Sequence, residues 1–600
     1  MKFSYRFLLT LITIISVNFI FANTKIAFLT DLHVSPGNTN EANLKKVVDE
    51  INNLDYDMVI VSGDLTNTGS DEELLNVKKI LDKINRQIYI VPGNHENNWS
   101  QSAGATYKKL FGDDRFKAKI DDILLIGINC GPYMKMGNGH IKREDLAWLD
   151  KELSQTDAKR VISINHYPLN ADLDMYDEYT ALLHEHPVIT HLCGHYHQFK
   201  KYKAGEIECL VNRALDMKNN DYGYTIIEIT NDSIKQWDKQ IHRSPILKNK
   251  IKINANHNPY IKDYETLSST KYVCKIYDDS ASIFTIPSYD NGNIYIGNSL
   301  GIIKCIDIKS GKIKWEYQTG GSLHSRPIIA GKYVVVPTTD NRLLWINKKS
   351  GKLISESYAR GPYVADGIVV NNELFIGGSN SFSAWDVKKR NMIWEISVNN
   401  YCQASPTADD SQVVFGAWDT KLRLVDTATG NIKWDWSEPT KSTFFSPGNV
   451  VPVMTEDKIF IVAPDRYMTA LNRKTGEIIW RNNSHKYRES IGRSADYKTI
   501  YAKTMDGEII AVSATENEFI ELWKVDTGFG YEHAPCIVIE NNGIVYAGSI
   551  KGEVAAINPI THELLWRSKV GNSEINGWTV TDNGDLIFTL IEGSIWKINQ

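Results

Sequence analysis

Apolar and polar residues alternate along the first 240 or so positions in two recurring patterns. Short apolar runs rich in Ile and Val, ended by Gly, Pro or Asp, predict buried strands, and segments with apolar residues spaced by three and four predict helices. The predicted strands lie in TKIAFLTDLH (24–33), YDMVIVSGDL (56–65), QIYIVPGNH (87–95), DILLIGINC (122–130), RVISINHYP (160–168) and VITHLCGHYH (188–197), and the predicted helices in EANLKKVVDEIN (41–52), DEELLNVKKILDKI (71–84) and KREDLAWLDKEL (142–153). This alternation predicts a layered α/β domain whose functional groups collect at the carboxyl ends of its strands.

The pattern changes beyond residue 271, where one unit repeats. Each unit has a strand ending in Asp, Asn or Ser, a turn that is often Thr-Gly or Ser-Gly, and a second strand that usually ends in Trp. The residues at the Trp position are Trp315, Ser355, Trp394, Trp434, Trp480, Trp523 and Trp566, which are 40, 39, 40, 46, 43 and 43 residues apart. A period of this length is typical of a β-propeller blade of about four short strands.

The number of units predicts how the ring closes. The first strands end at 307, 347, 386, 426, 472, 513, 558 and 599, so eight units begin, but the last stops before its Trp strand. The segment KYVCKIY (271–277) precedes the first unit at the right distance to supply the missing strand. We therefore expect eight blades, with seven as the alternative, in a ring whose closure protects the terminal sheet edges.

Two further segments complete the expected organisation. Residues 1–22 begin with Lys2 and Arg6 and continue as an apolar run, which predicts a cleaved secretory signal, with an uncleaved anchor as the alternative. Residues 243–270 are polar, rich in Lys and Asn and without clear periodicity, which suits a linker. The expected domains are then an α/β domain over 24–242 and a propeller over 271–600.

Composition narrows the range of functions. Hydrophobic residues make up 42% of the chain and charged residues 23%, as in ordinary soluble proteins. A net charge of -5 gives no general reason to expect nucleic-acid binding. Seven widely spaced cysteines do not form the pattern of a disulfide framework.

Polar side chains that can bind metals recur at five of the predicted strand ends. They are Asp31, His33, Asp64, Asn94, His95, His166, His195 and His197. Each alone is ordinary, since Asp often caps turns and a lone His is usually a surface or hydrogen-bonded residue. Their repetition at one sheet edge predicts a metal site, and mixed carboxylate, amide and imidazole donors favour Fe, Mn or Zn.

The motifs DLH (31–33), GD (63–64), GNHE (93–96), NHYP (165–168) and GHYH (194–197) occur in this order. Together they resemble the calcineurin-like metallophosphoesterases over about residues 24–240, which implies an αββα sandwich. The resemblance implies one metal held by Asp31, His33, Asp64 and His197, and a second held by Asp64, Asn94, His166 and His195. Asp64 would then bridge the two metals.

The same resemblance implies a reaction. A hydroxide shared by two cations would attack the phosphorus of a phosphomonoester or phosphodiester, in line with the leaving oxygen. His95 would contact the phosphate or protonate the leaving group, and Glu96 would orient His95. Residues 65–70 lack the tyrosine that purple acid phosphatases need, so the chain looks closer to bacterial cyclic-nucleotide phosphodiesterase-like members.

The repeats of the second half resemble PQQ-like, quinoprotein-type propeller repeats. We expect no bound quinone, because the sequence has no adjacent cysteine pair and no separate set of calcium ligands. The repeated tryptophans are expected to pack the blades. The propeller is expected to bind substrate, an envelope protein or a polymer.

The sequence thus predicts an exported phosphoesterase with two metals, no transmembrane segment in the mature chain, and a final location in the periplasm, at the cell surface or in the medium. The alternative is a catalytically silent envelope scaffold that uses the propeller. A quinone-dependent dehydrogenase is a third reading, which rests on the repeats alone.

Overall fold

The structure is a computed structural model that describes residues 23–599, apart from 135–136, 171, 218–220, 254–271 and 534. The predicted signal segment and most of the predicted linker therefore lie outside the described residues. In the described part, no helix has the length and apolar character that a membrane span requires.

The first domain contains two sheets with helices on their outer faces. Its elements in chain order are β1 (Thr24–Leu29), α1 (Thr39–Asn53), β2 (Met58–Ser62), α2 (Asp71–Leu81), β3 (Ile88–Val91), α3 (Asn94–Asn97), α4 (Ala105–Phe111), β4 (Phe116–Ile120), β5 (Ile123–Gly127), β6 (Gly139–His140), α5 (Arg143–Gln155), β7 (Arg160–Ile164), β8 (Leu173–Asp174), α6 (Tyr176–His184), β9 (Val188–Cys193), β10 (Lys200–Ala204), β11 (Ile207–Val211), β12 (Asp216–Met217), β13 (Asp221–Ile229), β14 (Ser233–Gln240) and β15 (Ile246–Lys252). The predicted strands and helices are all present, with additional short elements between them.

The two sheets have the orders β15-β14-β13-β1-β2-β3 and β10-β11-β9-β7-β5-β4, and β12 pairs with β13. Apolar side chains from facing strands, such as Phe28, Ile60 and Leu192, fill the space between the sheets. Leu44 of α1 packs on the outer face of the first sheet, and Leu149 of α5 packs on that of the second. Burial of both faces explains why these strands are almost continuously apolar. The predicted layered sandwich is confirmed.

The first sheet extends into the segment predicted as a linker. Strand β15 pairs antiparallel with β14 from Ser233–Lys252 to Asp238–Ile246, so the sheet continues ten residues beyond residue 242. Ile251 packs into the core between the sheets, whereas the lysines around it are largely exposed. A Lys-rich edge strand has too little apolar content to stand out in the sequence, and its pairing with β14 is what defines it.

The second domain is a propeller of eight four-stranded antiparallel sheets in the described residues. Seven blades are consecutive: β17–β20 (Ser288–Asp290, Asn293–Gly297, Ile302–Asp307, Ile313–Gln318), β21–β24 (Ile328–Ala330, Tyr333–Pro337, Arg342–Asn347, Leu353–Tyr358), β25–β28 (Gly367–Val370, Glu373–Gly377, Ser379–Asp386, Asn391–Tyr401), β29–β32 (Thr407–Ala408, Gln412–Gly416, Leu422–Asp426, Ile432–Trp436), β33–β36 (Val453–Met454, Lys458–Val462, Met468–Asn472, Ile478–Asn482), β37–β40 (Tyr487–Arg493, Thr499–Thr504, Glu508–Ser513, Glu521–Asp526) and β41–β44 (Ile539–Asn541, Ile544–Gly548, Glu553–Asn558, Glu563–Lys569). Two short 3₁₀ helices, Thr443–Phe445 and Pro447–Asn449, precede β33.

The eighth blade closes the ring. It combines β45 (Ile575–Val580), β46 (Leu586–Leu590) and β47 (Ser594–Ile598) with β16 (Val273–Asp278), which comes from the start of the domain and pairs with β47. Eight blades and closure by the segment near 271–277 are thereby confirmed. Because β16 and β47 come from opposite ends of the domain, their pairing leaves neither end as an open sheet edge.

The repeated tryptophans pack neighbouring blades together. Trp315 donates its indole N–H to the carbonyl of Lys348 in the next blade at 3.0 Å, and Trp394 and Trp434 make the same bond to the blades that follow them. Each ring lies against a glycine of the next blade's turn; for Trp315 this is Gly351, which has a φ of +69°. The paired occurrence of Trp and Gly in the repeat therefore reflects one contact between blades.

Candidate metal centre

The predicted ligands converge at the carboxyl edges of the two sheets. Asp31 and His33 follow β1, Asp64 follows β2, and Asn94 begins α3 directly after β3; these come from the first sheet. His166 follows β7 and the pair His195 and His197 follows β9 in the second sheet. The sandwich brings these two edges together because the sheets pack face to face.

The ligand atoms fall into groups of the size that one cation could occupy. His197 Nε2 lies 3.1 Å from His33 Nε2 and 3.1 Å from Asp31 Oδ1. His166 Nε2 lies 3.2 Å from Asp64 Oδ2, and His195 belongs to the same group. Donor atoms bound to one transition metal at about 2.0–2.2 Å lie roughly 3 Å apart. The spacing therefore suits metal coordination.

Several of these atoms lack hydrogen-bond partners of their own. Asn94 Oδ1 is buried and accepts no hydrogen bond from the described residues, and Asp31 Oδ1 and His166 Nε2 are buried with other predicted ligands, His197 and Asp64, as their close polar neighbours. Unpaired buried polar atoms are costly unless something else satisfies them. A cation between them would do so, and the donor set fits a transition metal.

The backbone at the site is strained in a way that is rare for these residue types. Asp31, His33, Asp64, His195 and His197 have φ values of 52°, 46°, 50°, 69° and 51°. Left-handed conformations cost energy for residues with a Cβ and persist only where the surrounding structure enforces them. Five of the seven predicted ligands share this feature, so the strain lies where the side chains must converge.

Nearby glycines make room for these side chains. Gly63 has a φ of +87°, and a Cβ there would lie 2.7 Å from the Gly93 backbone. A Cβ on Gly194 would overlap the hydroxyl of Thr30 and the carboxylate of Asp31. Gly63 thus supplies a turn, whereas Gly194 is needed for close approach.

The electrostatic state of the site favours cations. Burial disfavours the charged form of His166, but the Asp64 carboxylate outweighs it and raises the pKa of His166 to about 9. Burial also opposes ionisation of Asp64, yet the His166 charge holds the pKa of Asp64 well below its ordinary value. Burial lowers the pKa of His33 and that of His195 to about 4, so both imidazoles are neutral at pH 7 and free to ligate.

His95 and Glu96 have different hydrogen-bond partners. The Glu96 carboxylate is buried and accepts hydrogen bonds from Gly93 N at 2.9 Å and from Thr66 N at 3.0 Å. The His95 ring instead bonds through Nδ1 to the carbonyl of Asn67, and its Nε2 lies 3.7 Å from Asp64 Oδ2. As the third residue of α3, Glu96 ties down the backbone at the helix start, and an orienting role toward His95 stays a prediction.

Two supporting groups were not identified from the sequence. Tyr167 stacks on His195 with ring centroids 4.1 Å apart, and the carbonyl of Ser62 bonds His166 Nδ1 at 2.7 Å. Tyr167 directly follows His166 in the NHYP motif, and this position beside a predicted ligand could have identified it as a supporting residue. His191, by contrast, is buried in β9 between Ser163 and Asn165 and takes no part in the site.

Fold and site together define a class: a metallophosphoesterase-type sandwich joined to an eight-bladed propeller. Residues 24–199 match the model of the calcineurin-like phosphoesterase family, and residues 265–364 and 355–518 match a model described as outer membrane protein assembly factor BamB. The chain therefore has an N-terminal domain that matches the calcineurin-like phosphoesterase family and, after it, repeats that match the BamB model and form a propeller.

Individual relatives agree with this division. A probable cyclic nucleotide phosphodiesterase of Vesicomyosocius okutanii is 26% identical over 196 residues, covering 30% of this chain and 82% of that protein. A probable glycerophosphodiester phosphodiesterase GpdQ of Arcobacter nitrofigilis is 26% identical over 212 residues, 32% of this chain and 77% of that protein. The outer membrane protein assembly factor BamB of Yersinia pestis is 20% identical over 283 residues, 42% of this chain and 68% of that protein.

Proposed function

We propose that the chain is an exported phosphoric ester hydrolase that uses two transition-metal ions, of Fe, Mn or Zn, and acts on phosphodiesters in preference to phosphomonoesters. The observation that carries the proposal is the convergence of the predicted donors, including the buried and unpaired Asn94 Oδ1, where the carboxyl edges of the two sheets meet. The diester preference is supported by the names of the phosphodiesterase relatives.

The ligand assignment follows the contacts of the site. Asp31, His33 and His197 form one group and would hold the first metal with Asp64; Asp64, His166 and His195 form another and would hold the second metal with Asn94. Asp64 would contribute to both. When bound, two such cations would lower the pKa of water and neutralise phosphate oxygens.

The remaining roles fall to the chain's own groups. His95 is partly exposed beside Asp64 and can reach the phosphate or give a proton to the leaving oxygen. The carbonyls of Ser62 and Asn67 accept hydrogen bonds from the Nδ1–H groups of His166 and His95, which fixes both rings with Nε2 facing the centre. For proton transfer, His95 would also have to carry a proton on Nε2. Glu96 keeps the turn at Gly93 in place.

The propeller and the predicted signal segment support a location in the bacterial envelope. BamB is named an outer membrane protein assembly factor, and the propeller of this chain is similar to it. We propose that the propeller binds the substrate or an envelope partner.

The test compares Asp64→Asn with Asp157→Asn, whose side chain is 85% exposed and far from the site in the fold. Both variants and the wild type are assayed with manganese on bis(p-nitrophenyl) phosphate and p-nitrophenyl phosphate, and their metal content is measured. Asp64→Asn is expected to lose at least about a hundredfold in rate together with bound metal, because it removes a shared ligand. Wild-type metal binding without hydrolysis of either ester would contradict the proposal and favour a scaffold.

A further inference from the structure

The propeller contacts the phosphoesterase domain at loops that begin beside the candidate metal centre. Three loops near the centre contribute to these contacts: the α3 loop (94–104), the β5 loop (129–134) and the β7 loop (166–170 and 172–175). Strand β6, the start of α5 and α6 add further hydrogen bonds to the propeller, from His140, Arg143 and Glu178. The three loops follow strands β3, β5 and β7 at the carboxyl edges of the two sheets, where the ligands lie. The α3 loop begins with Asn94 and His95, and the β7 loop begins with His166.

The α3 loop is packed directly on the propeller. The ring of Trp99 lies edge-on against Trp418, with centroids 5.7 Å apart. Ala103 belongs to a buried apolar cluster with Val364 and Tyr401, against which Trp418 also packs. Trp99 is only five residues from Asn94, and the short helix α3 occupies most of that distance.

The β5 loop gives a second connection. Tyr133 stacks on Phe284 of the propeller at 4.5 Å between centroids. Near the start of the same loop, the amides of Asn129 and Asn97 are paired at 3.2 Å, and both residues are buried. Asn97 also donates to the carbonyl of Gly93 at 2.7 Å. The turn that presents Asn94 and His95 is thus connected to the propeller in two ways. One connection runs along the α3 loop to Trp99 and Trp418, and the other runs through Asn129 and the β5 loop to Tyr133 and Phe284.

The ligands assigned to the first metal have a different kind of support. In the described part of the chain, the loops that carry these ligands, 31–38 and 194–199, make no hydrogen bond, ion pair or ring contact with the propeller, unlike the α3 loop that carries Asn94. Asp31 is instead fixed within its own domain, by the hydroxyl of Thr30 at 2.8 Å and the backbone N–H of His195 at 3.0 Å. The two halves of the centre therefore depend on the propeller to different degrees.

We propose that the propeller is a positioning element of the phosphoesterase centre: through Trp418 it holds the α3 loop so that Asn94 completes the second metal site and His95 faces the substrate. This inference rests on the proposed function for the role of His95, but the metal-binding part can be tested without it. Trp418 acts through Trp99 and is a positioning residue.

The test titrates manganese into the full-length wild type and into Trp418→Ala, with bound metal counted and spin coupling between two manganese ions followed by electron paramagnetic resonance. Trp418→Ala is expected to keep the first site and to bind the second manganese at least about tenfold more weakly, as is typical when support behind a ligand is removed. The rate kcat on bis(p-nitrophenyl) phosphate should fall about ten- to a hundredfold at saturating metal, with KM little changed. Trp418→Phe, which keeps an aromatic ring, should recover most of both.

Three further variants make the outcome decisive. Trp315→Ala removes a ring from a blade contact away from the interface and should bind both metals normally. Trp99→Ala removes the other half of the contact and should reproduce the effect of Trp418→Ala, and the double variant should be no worse than either. If Trp418→Ala fails to fold, Trp99→Ala tests the same contact from the other domain.

Unchanged affinity for both metals and unchanged kcat in Trp418→Ala and Trp99→Ala would overturn the inference. So would an equal loss in Trp315→Ala, which would indicate general loosening of the propeller. A wild type that binds two manganese ions but hydrolyses no ester would disprove the proposed function alone, since the loss of the second metal could still be measured. A wild type with a single manganese site would overturn both.

Discussion

The two domains differ in where the residues with special structural requirements lie. In the phosphoesterase domain, unusual backbone conformations occur where the carboxyl edges of its two sheets meet, at Asp31, Asp64 and His195, which all have positive φ. In the propeller, the special positions belong to one contact that recurs from blade to blade, in which a tryptophan packs on the glycine turn of the next blade. No other residue can replace a ligand that is lost from a unique site. In the propeller, loss of one of several similar contacts leaves the others in place. Single substitutions at the ligand positions should therefore abolish function, whereas single substitutions at the contacts between blades should only reduce stability.

The largest expected difference is between two glycines. Gly194→Ala places a methyl group onto Thr30 and the Asp31 carboxylate, so we expect at least a hundredfold loss of metal affinity and ester hydrolysis. Gly351→Ala, at a φ of +69° against Trp315, should cost about 1–3 kcal/mol of propeller stability and leave metal binding unchanged. Metal titration and denaturant unfolding of both variants make the comparison. Normal metal binding by Gly194→Ala would show that the close approach there is not required.

A smaller effect is expected from loss of one blade contact. Trp315→Ala removes a half-buried ring and its hydrogen bond to Lys348, which should lower the free energy of unfolding by about 2 kcal/mol. Hydrolysis and metal content at 25 °C should remain at the wild-type level. The measurement is the denaturant midpoint followed by tryptophan fluorescence, with the rate assayed in parallel. A loss of activity without a change in midpoint would contradict the contrast between the two domains.

The last effect is absent at pH 7 and appears only in acid: it comes from His191, a histidine close to the site whose contacts serve the fold. Burial lowers the pKa of His191 to about 3, against 6.5 for the unshifted group. Between these values the unfolded chain takes up a proton that the folded chain does not, so the stability contributed by neutral His191 is present above pH 6.5 and lost as pH falls. At pH 5 the loss should be about 2 kcal/mol.

His191→Gln should weaken this dependence, whereas His562→Gln at an exposed position should not. The measurement is the unfolding midpoint of the metal-free proteins at pH 7 and pH 5, taken as differences from the wild type. An identical acid sensitivity in wild type and His191→Gln would disprove the assignment.

Much of the fold could be predicted because the patterns that define it are local. The apolar runs of β1 and β2 and the Trp-to-Trp spacing lie within single elements or single repeats. Strand β15 was missed because its alternating Ile and Lys residues resemble a polar linker until β14 provides a partner. The hydrogen bonds of Glu96 could not be predicted for a related reason: it neighbours His95 in the sequence, but its carboxylate bonds the Gly93 backbone, whereas the His95 ring bonds the Asn67 carbonyl.

The sequence alone determined which donor types stand at the strand ends and how many blades can form, because both follow from residue identity and period. Only the tertiary structure decided where those donors meet and what holds them. Face-to-face packing of two sheets brings His166 beside Asp64, although they are distant in the chain. Docking of the propeller places Trp418 on Trp99, a contact between residues more than 300 positions apart that no periodicity encodes. Such contacts depend on the summed shape of two folded domains, and that shape exists only once both have formed.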